Sequence, residues 1–130
     1  MIVFDSSAIV AIEAKEPEYE KLIAIIDLAG SPLLIGAPTA LETAIVLSRR
    51  SGTDASAWVR GFLRSVDAEI VPFSAAHFHE AAHAFMRFGK GRHPAALNFG
   101  DCMAYAAARV AKAPLLYTGG DFAKTDIMAA

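Results

Sequence analysis

Short, unbroken apolar runs recur between longer amphipathic stretches, and that alternation leaves few architectures open to the chain. Ile2-Val3-Phe4, Leu33-Leu34-Ile35, the stretch Glu69 to Phe73 and Leu115-Leu116-Tyr117 read as strands. Continuous apolar strands of this kind belong in a mainly parallel sheet covered on both faces. Between them the periodicity predicts helices over Ser6–Ala14, from Pro17 to Gly30, from Pro38-Thr39 to Gly52, after a capping Asp54, over Ala75–Phe88, and from Gly100-Asp101 to Lys112. The expected core faces are Tyr19, Leu22, Ile23, Ile26 and Leu28 in the second helix, Leu41, Ala44, Ile45 and Leu47 in the third, and Phe78, Ala82 and Phe85 in the fifth. The fourth carries Trp58, Phe62 and Leu63. Strands and helices in alternation predict an α/β fold. In such folds ligands gather outside the carboxyl ends of the strands.

Composition narrows the function classes. With 130 residues, 55% of them hydrophobic, the chain has material for one core and reads as one domain over 1–130. A net charge of -2 means that any contact with a polyanion has to come from a local basic patch. The single cysteine, Cys102, excludes an intramolecular disulfide and Cys-rich zinc sites, as suits a reducing compartment. The N-terminus lacks a basic region and Asp5 interrupts its apolar run, so a signal peptide is not expected. No apolar stretch is long enough to span a bilayer. The expectation is a cytoplasmic protein without a membrane partner.

One motif points elsewhere. His79-Glu80-Ala81-Ala82-His83 matches H-E-x-x-H, the zinc signature of metallopeptidases. A peptidase of that kind needs a third protein ligand. Residues 84–130 contain no glutamate, Met86 stands where the extended motif needs glycine, and His93 lies off that helix. His79, His83 and Arg87 recur at i, i+4 and i+8, the spacing of a solvated helix stripe. The motif is therefore read as a surface helix.

Four carboxylates stand out by place. Asp5 ends the first strand, Asp121 follows the fourth, Glu42 lies early in the helix after the second, and Asp101 opens the alanine-rich helix. Each has a purely structural alternative. Asp5 can cap a helix, Asp101 can complement a helix dipole, Glu42 can face solvent and Asp121 can serve a turn. In a parallel sheet all four can meet at one edge. Carboxylates crowded together repel, so the group must take up protons or a cation. Hard oxygen ligands without Cys or His select Mg²⁺ or Mn²⁺. Such a site activates water and steadies a phosphodiester during in-line displacement.

Taken with their contexts, VFDSSAIVA, TALETAIVL, LNFGDCMAYAAA and LLYTGGDFAKTDI, these acidic residues resemble the PIN-domain ribonucleases, and more closely the VapC-type toxins of bacterial toxin–antitoxin pairs. The stretch FGKGRHPAALNFGDCMAYA is similar to one subgroup of those toxins, and the resemblance runs from Met1 to about Ile127. It implies a PIN-like three-layer α/β/α sandwich around a central, mainly parallel sheet of four to five strands. It implies Mg²⁺- or Mn²⁺-dependent endonucleolytic cleavage of RNA. Asp5 and Asp101 would be the primary metal ligands, Glu42 would ligate the metal or orient its water, and Asp121 would complete the cluster. Gly120 is an alternative for that last position, and Asp126 would be structural. Ser7 and Thr118 would support the ligands through their hydroxyls. The implied partners are an RNA substrate, a cognate antitoxin covering the acidic cleft, a second copy in a homodimer, and a toxin–antitoxin hetero-oligomer.

Arg87, Lys90, Arg92 and His93 surround a Gly-Lys-Gly segment just before the Asp101 helix. They read as contacts to RNA phosphates, or otherwise as an ordinary solvated connection. Phe88 and Phe99 are expected in the core, with base stacking as the other possibility. Cys102 is expected to be a small buried hydrophobe. Two other classes compete with a nuclease: a non-catalytic PIN-like module binding RNA or protein, and a phosphatase or phospho-acceptor. Asp5-Ser6-Ser7 lacks the Asp-x-Asp pair of haloacid-dehalogenase-like phosphatases, which sets the last class low.

Overall fold

The computed structural model describes residues 1–30 and 32–130. Four strands, β1 (Ile2–Phe4), β2 (Leu33–Gly36), β3 (Ala68–Val71) and β4 (Leu115–Leu116), form one sheet in the order β3-β2-β1-β4. All three pairings are parallel, with Val3 opposite both Leu34 and Leu115. The helices are α1 (Ser6–Glu13), α2 (Tyr19–Leu28), α3 (Ala37–Ser51), α4 (Ser56–Ser65), α5 (Ala75–Phe88) and α6 (Phe99–Ala111).

Alternation along the strands sorts these helices into two layers. Ile2, Phe4, Leu33, Ile35 and Leu116 point into a core shared with α1, α2, α3 and α4. Val3, Leu34 and Leu115 point the other way, into a second core built with α5 and α6. Because successive strand residues face opposite sides, a strand that is apolar throughout fits only between two helical layers. The expected α/β/α sandwich is present.

Element boundaries follow local chemistry. Gly52, with φ 75, closes α3 in the left-handed conformation that costs glycine little. The N-cap of α4 is Ala55, not Asp54 as expected; Asp54, one position earlier, still accepts from the Ser56 amide at 2.9 Å. The second helix begins at Tyr19, two residues beyond Pro17. The third strand starts at Ala68 and stops at Val71, ahead of Pro72, which has no amide to donate.

The core faces of two helices differ from expectation. In α5 the buried residues are His77, Ala81, Ala84 and Phe88, whereas Phe78 and Phe85 are exposed. Alanines at 81 and 84 allow α5 to approach the alanine-rich α6, where Ala104, Ala107 and Ala108 are buried. The helix buries its small stripe and leaves the bulky one outside. Phe78, Ala82 and Phe85 instead line an open apolar groove of about 540 Å³ with Pro38, Phe73, Phe99 and Met103. In α3 the buried stripe is Thr39, Thr43 and Leu47, and Leu41 and Ile45 are exposed. Thr43 can be buried because its hydroxyl donates to the Thr39 carbonyl at 2.8 Å. Phe88 is in the core, but Phe99 is 79% exposed. Leu28, at the end of α2, is exposed as well.

The C-terminal segment is clamped to α5 and α6. The buried Tyr105 hydroxyl donates to Asp126 Oδ1 at 2.6 Å, and Arg87 Nη1 donates to Oδ2 at 3.1 Å. Partial burial works against charge on Asp126, but the bonds from Tyr105 and Arg87 hold its carboxyl below the usual range. Asp126 is structural, as the resemblance implied. We expect Tyr105→Phe to lower stability by about 1 kcal/mol, the usual net worth of one such bond, in urea unfolding.

The sheet order positions the site. From β1 the chain builds outward to β2 and β3, then returns to place β4 on the other side of β1. Connections leaving the carboxyl ends of β1 and β4 therefore diverge, which opens a crevice at that edge.

Candidate active site

Asp5 follows β1 and caps α1, and it is only 3% exposed. Its Oδ2 accepts from the Ser7 amide at 3.0 Å and from the Ser7 hydroxyl at 2.5 Å. Ser7 Oγ in turn accepts from the Thr118 amide at 3.0 Å, which ties the end of β1 to the end of β4. Ser7 thus meets Asp5 through its hydroxyl, while Thr118 takes part through its backbone. The other carboxylate oxygen, Oδ1, is buried with no hydrogen-bond partner among the described residues. Burial pushes the Asp5 carboxyl above its ordinary range, against the two Ser7 bonds, and the nearby Glu42 charge adds to the rise.

Asp101 sits in the first turn of α6. Asn98 Oδ1 accepts from the Asp101 amide at 2.8 Å, and Asp101 Oδ2 accepts from the Asn98 amide at 3.0 Å. This reciprocal capping box fixes the backbone and anchors one carboxylate oxygen. Oδ1 takes no part in it. Burial again raises the carboxyl above its usual range, opposed by the Asn98 bond, with the charges of Asp5 and Asp121 contributing to the rise.

Glu42 projects from α3 toward the same place. Its carboxylate lies against the backbone of Gly100, the residue before Asp101, where a β-carbon would come within 2.7 Å of Glu42 Cδ. Asp121 is exposed at the start of the 3-10 turn Phe122–Lys124. Asp5 feels the repulsive charge of Glu42, and Asp101 feels those of Asp5 and Asp121, so these carboxylates lie within electrostatic reach of one another. Among the described residues, no group of three or more His, Cys, Asp or Glu side chains stands close enough together to hold a metal ion. The donors are all hard oxygens, and Asp5 brings an orphaned buried one. That chemistry fits a hard divalent cation.

Lys90 and Arg92 are exposed on the loop that leads into α6, and Arg92 Nε donates to the Met86 carbonyl at 3.2 Å. That loop is ordered by its own bonds: Lys90 N donates to the Leu97 carbonyl at 2.9 Å, and His93 Nδ1 accepts from the Ala95 amide at 3.0 Å. Arg87 is engaged with Asp126 and lies 4.6 Å over the Phe88 ring, so its guanidinium is largely committed to the fold. Cys102 is buried, and burial with the Asp101 charge pushes its thiol up to about 11, which keeps it protonated and inert.

The zinc motif does not assemble a site. His79 and His83 are exposed, and Glu80 faces Arg109 at 3.8 Å. The buried histidine of that stretch is His77, whose Nδ1 lies 2.8 Å from Ser74 Oγ at the start of α5. Sequence reasoning passed over Asn98 and Gly100. The Asn-x-x-Asp spacing of the capping box was the visible sign of the first. The second depends on a contact between distant segments.

Residues 2–128 match the family model of the PIN domain. Ribonuclease VapC36 of Mycobacterium tuberculosis is 39% identical over 126 residues, which is 97% of this chain and 91% of that protein. The crystal structure of VapC20, a sarcin-ricin-loop-cleaving toxin of Mycobacterium tuberculosis, superposes with a TM-score of 0.77 at 19% identity, covering 100% of this chain and 98% of that one. A toxin–antitoxin complex from Klebsiella pneumoniae contains a chain matching with a TM-score of 0.71 at 16% identity, covering 100% of this chain and 97% of that one. The sheet order, the carboxylates at its switch point and the match over nearly the whole sequence agree: the chain belongs to the PIN-domain family.

Proposed function

We propose that the chain is a metal-dependent endoribonuclease, the toxin of a toxin–antitoxin pair. The observation that carries this reading is Asp5, a buried carboxylate with one oxygen unpartnered among the described residues, within electrostatic reach of Glu42 and Asp101. The 39% identity to a ribonuclease of the VapC type supports the substrate class.

Asp5 and Asp101 are the primary ligands, Glu42 ligates or orients the attacking water, and Asp121 completes the cluster. Bound Mg²⁺ or Mn²⁺ supplies a lowered water pKa and neutralises charge on the phosphate oxygens. Ser7 holds Asp5 in one orientation, and the Asn98 box does the same for Asp101. An acidic rim would repel a phosphodiester, so the cations beside it matter. Lys90 and Arg92 are assigned to backbone phosphates, with Arg87 shaping the loop from its pair with Asp126. In the combined variant Lys90→Ala with Arg92→Ala, loss of two phosphate contacts should reduce the log–log salt slope of RNA binding by about 1.4. An unchanged slope across a salt series would remove these residues from the interface.

A cognate antitoxin covering the acidic rim is the implied partner, in keeping with the toxin–antitoxin complex that shares the fold. Homodimerisation within such a hetero-oligomer accords with the apolar side chains left outside the core, among them Leu41, Ile45, Phe78 and Phe85. Among the described residues, no helix is long and apolar enough to cross a membrane. Sequencing of RNA ends after brief exposure to the protein and Mg²⁺, with Asp5→Asn as control, tests catalysis and identifies the substrate together. Discrete new ends that vanish in the control are expected. Binding without cleavage under every metal would make the chain a binding module instead.

A further inference from the structure

We infer that Gly100 is a positioning residue, whose missing side chain lets the Glu42 carboxylate reach the metal-binding rim beside Asp101. This rests on the proposed metal site.

A β-carbon built on Gly100 would overlap Glu42 Oε2 and lie 2.7 Å from Cδ and 2.9 Å from Oε1. All three nearest atoms belong to the one carboxylate. Gly100 occupies the second position of α6, one residue before Asp101, and its backbone does not adopt the left-handed conformation that requires glycine. Conformation therefore does not explain the glycine. Helix propensity disfavours it, since alanine is better in a helix. The remaining cause is space.

That space is filled by the flexible end of a side chain rather than by backbone. Glu42 can swing away from an added methyl at little expense to the fold. The movement would, however, withdraw a carboxylate from the group formed with Asp5 and Asp101, where its charge is felt by Asp5. A glycine-to-alanine change at this position separates folding from ligand placement: the helix gains and the site loses.

The test is Mn²⁺ binding by titration calorimetry, alongside thermal unfolding in EDTA. Gly100→Ala should unfold in EDTA at the same or a higher temperature than the unsubstituted protein. It should bind Mn²⁺ about 10- to 100-fold more weakly, the range seen when a metal ligand loses its support. Glu42→Gln should also weaken binding, and adding Gly100→Ala to Glu42→Gln should weaken it no further. That non-additivity is the mark of action through Glu42. Unchanged Mn²⁺ affinity in Gly100→Ala, with normal binding by the unsubstituted protein, would overturn the role of Gly100 alone. Equal losses from Gly100→Ala with and without Glu42→Gln would overturn it too. Absence of Mn²⁺ binding by the unsubstituted protein would defeat the metal site and this inference together.

Discussion

Asp101→Asn should lower RNA cleavage by about a thousandfold or more, because on the proposed mechanism a metal's contribution of several kcal/mol is removed at tenfold per 1.36 kcal/mol. Asp5→Asn should do the same. Neither change should damage the fold. An amide at position 101 keeps an oxygen to accept from the Asn98 backbone, the bond now made at 3.0 Å. An amide at position 5 keeps an acceptor for the Ser7 amide and relieves a buried charge whose Oδ1 has no partner. Asp5→Asn should therefore unfold at a higher temperature than the unsubstituted protein in EDTA. Activity lost while stability is kept or gained is the pattern of a site held under strain for function. Cleavage of labelled RNA at saturating Mg²⁺, set beside thermal unfolding in EDTA, reads both quantities. Substantial activity in either variant would exclude that residue as a ligand.

Chelation is the second large effect. EDTA should abolish cleavage, and added Mg²⁺ or Mn²⁺ should restore it. Stability should respond to the same treatment, with a pH dependence whose direction is fixed by the carboxyls. Asp5 and Asp101 both have pKa values raised in the folded protein, chiefly by burial. A group of this kind contributes stability that is fully present below its unfolded pKa and lost as pH rises through the folded one. Metal-free protein should thus gain stability as pH falls from neutral toward the ordinary carboxylate range. The gain should end there, where Asp126 and Asp54, whose folded pKa values are lowered, begin to lose their contributions. Asp5→Asn should flatten the profile.

Metal reverses the trend, because ligands must be deprotonated to bind. At a hundredfold excess over the dissociation constant, a bound ion should add about 2.7 kcal/mol near neutral pH and progressively less on acidification. Metal-free stability that falls steadily from pH 7 to pH 5 would contradict the carboxylate crowding.

The sequence was most informative where a residue's neighbours in the chain determine its surroundings. Apolar strands, turn-forming glycines and the boundaries of α5 could be read directly, because each depends on local period and backbone chemistry. The four carboxylates could be singled out because a parallel sheet sends all its strand ends to one side. Helix faces were harder. In α5 two stripes compete and side-chain bulk pointed to the wrong one, whereas in α3 Leu47 is buried as expected but Thr39 and Thr43 take the places expected of Leu41 and Ile45. The selection was made by α6, whose alanines admit only a close-packing neighbour, and by Thr43, whose hydroxyl is satisfied within its own helix. Phe99 was misplaced for a similar reason: an aromatic residue opening a helix looks like core until the position of that helix end is known. Gly100 could not be read at all, since its space is taken by a side chain 58 positions away.

The central claim is that Asp5, Glu42, Asp101 and Asp121 hold one hard divalent cation or a close pair. Anomalous diffraction from crystals grown with Mn²⁺ tests it most directly. The account predicts a peak at ligating distance from Asp5 and Asp101, with Glu42 or Asp121 within reach of the ion or its water. A saturated crystal with no peak there, or with manganese bound only at His79 and His83, would contradict it.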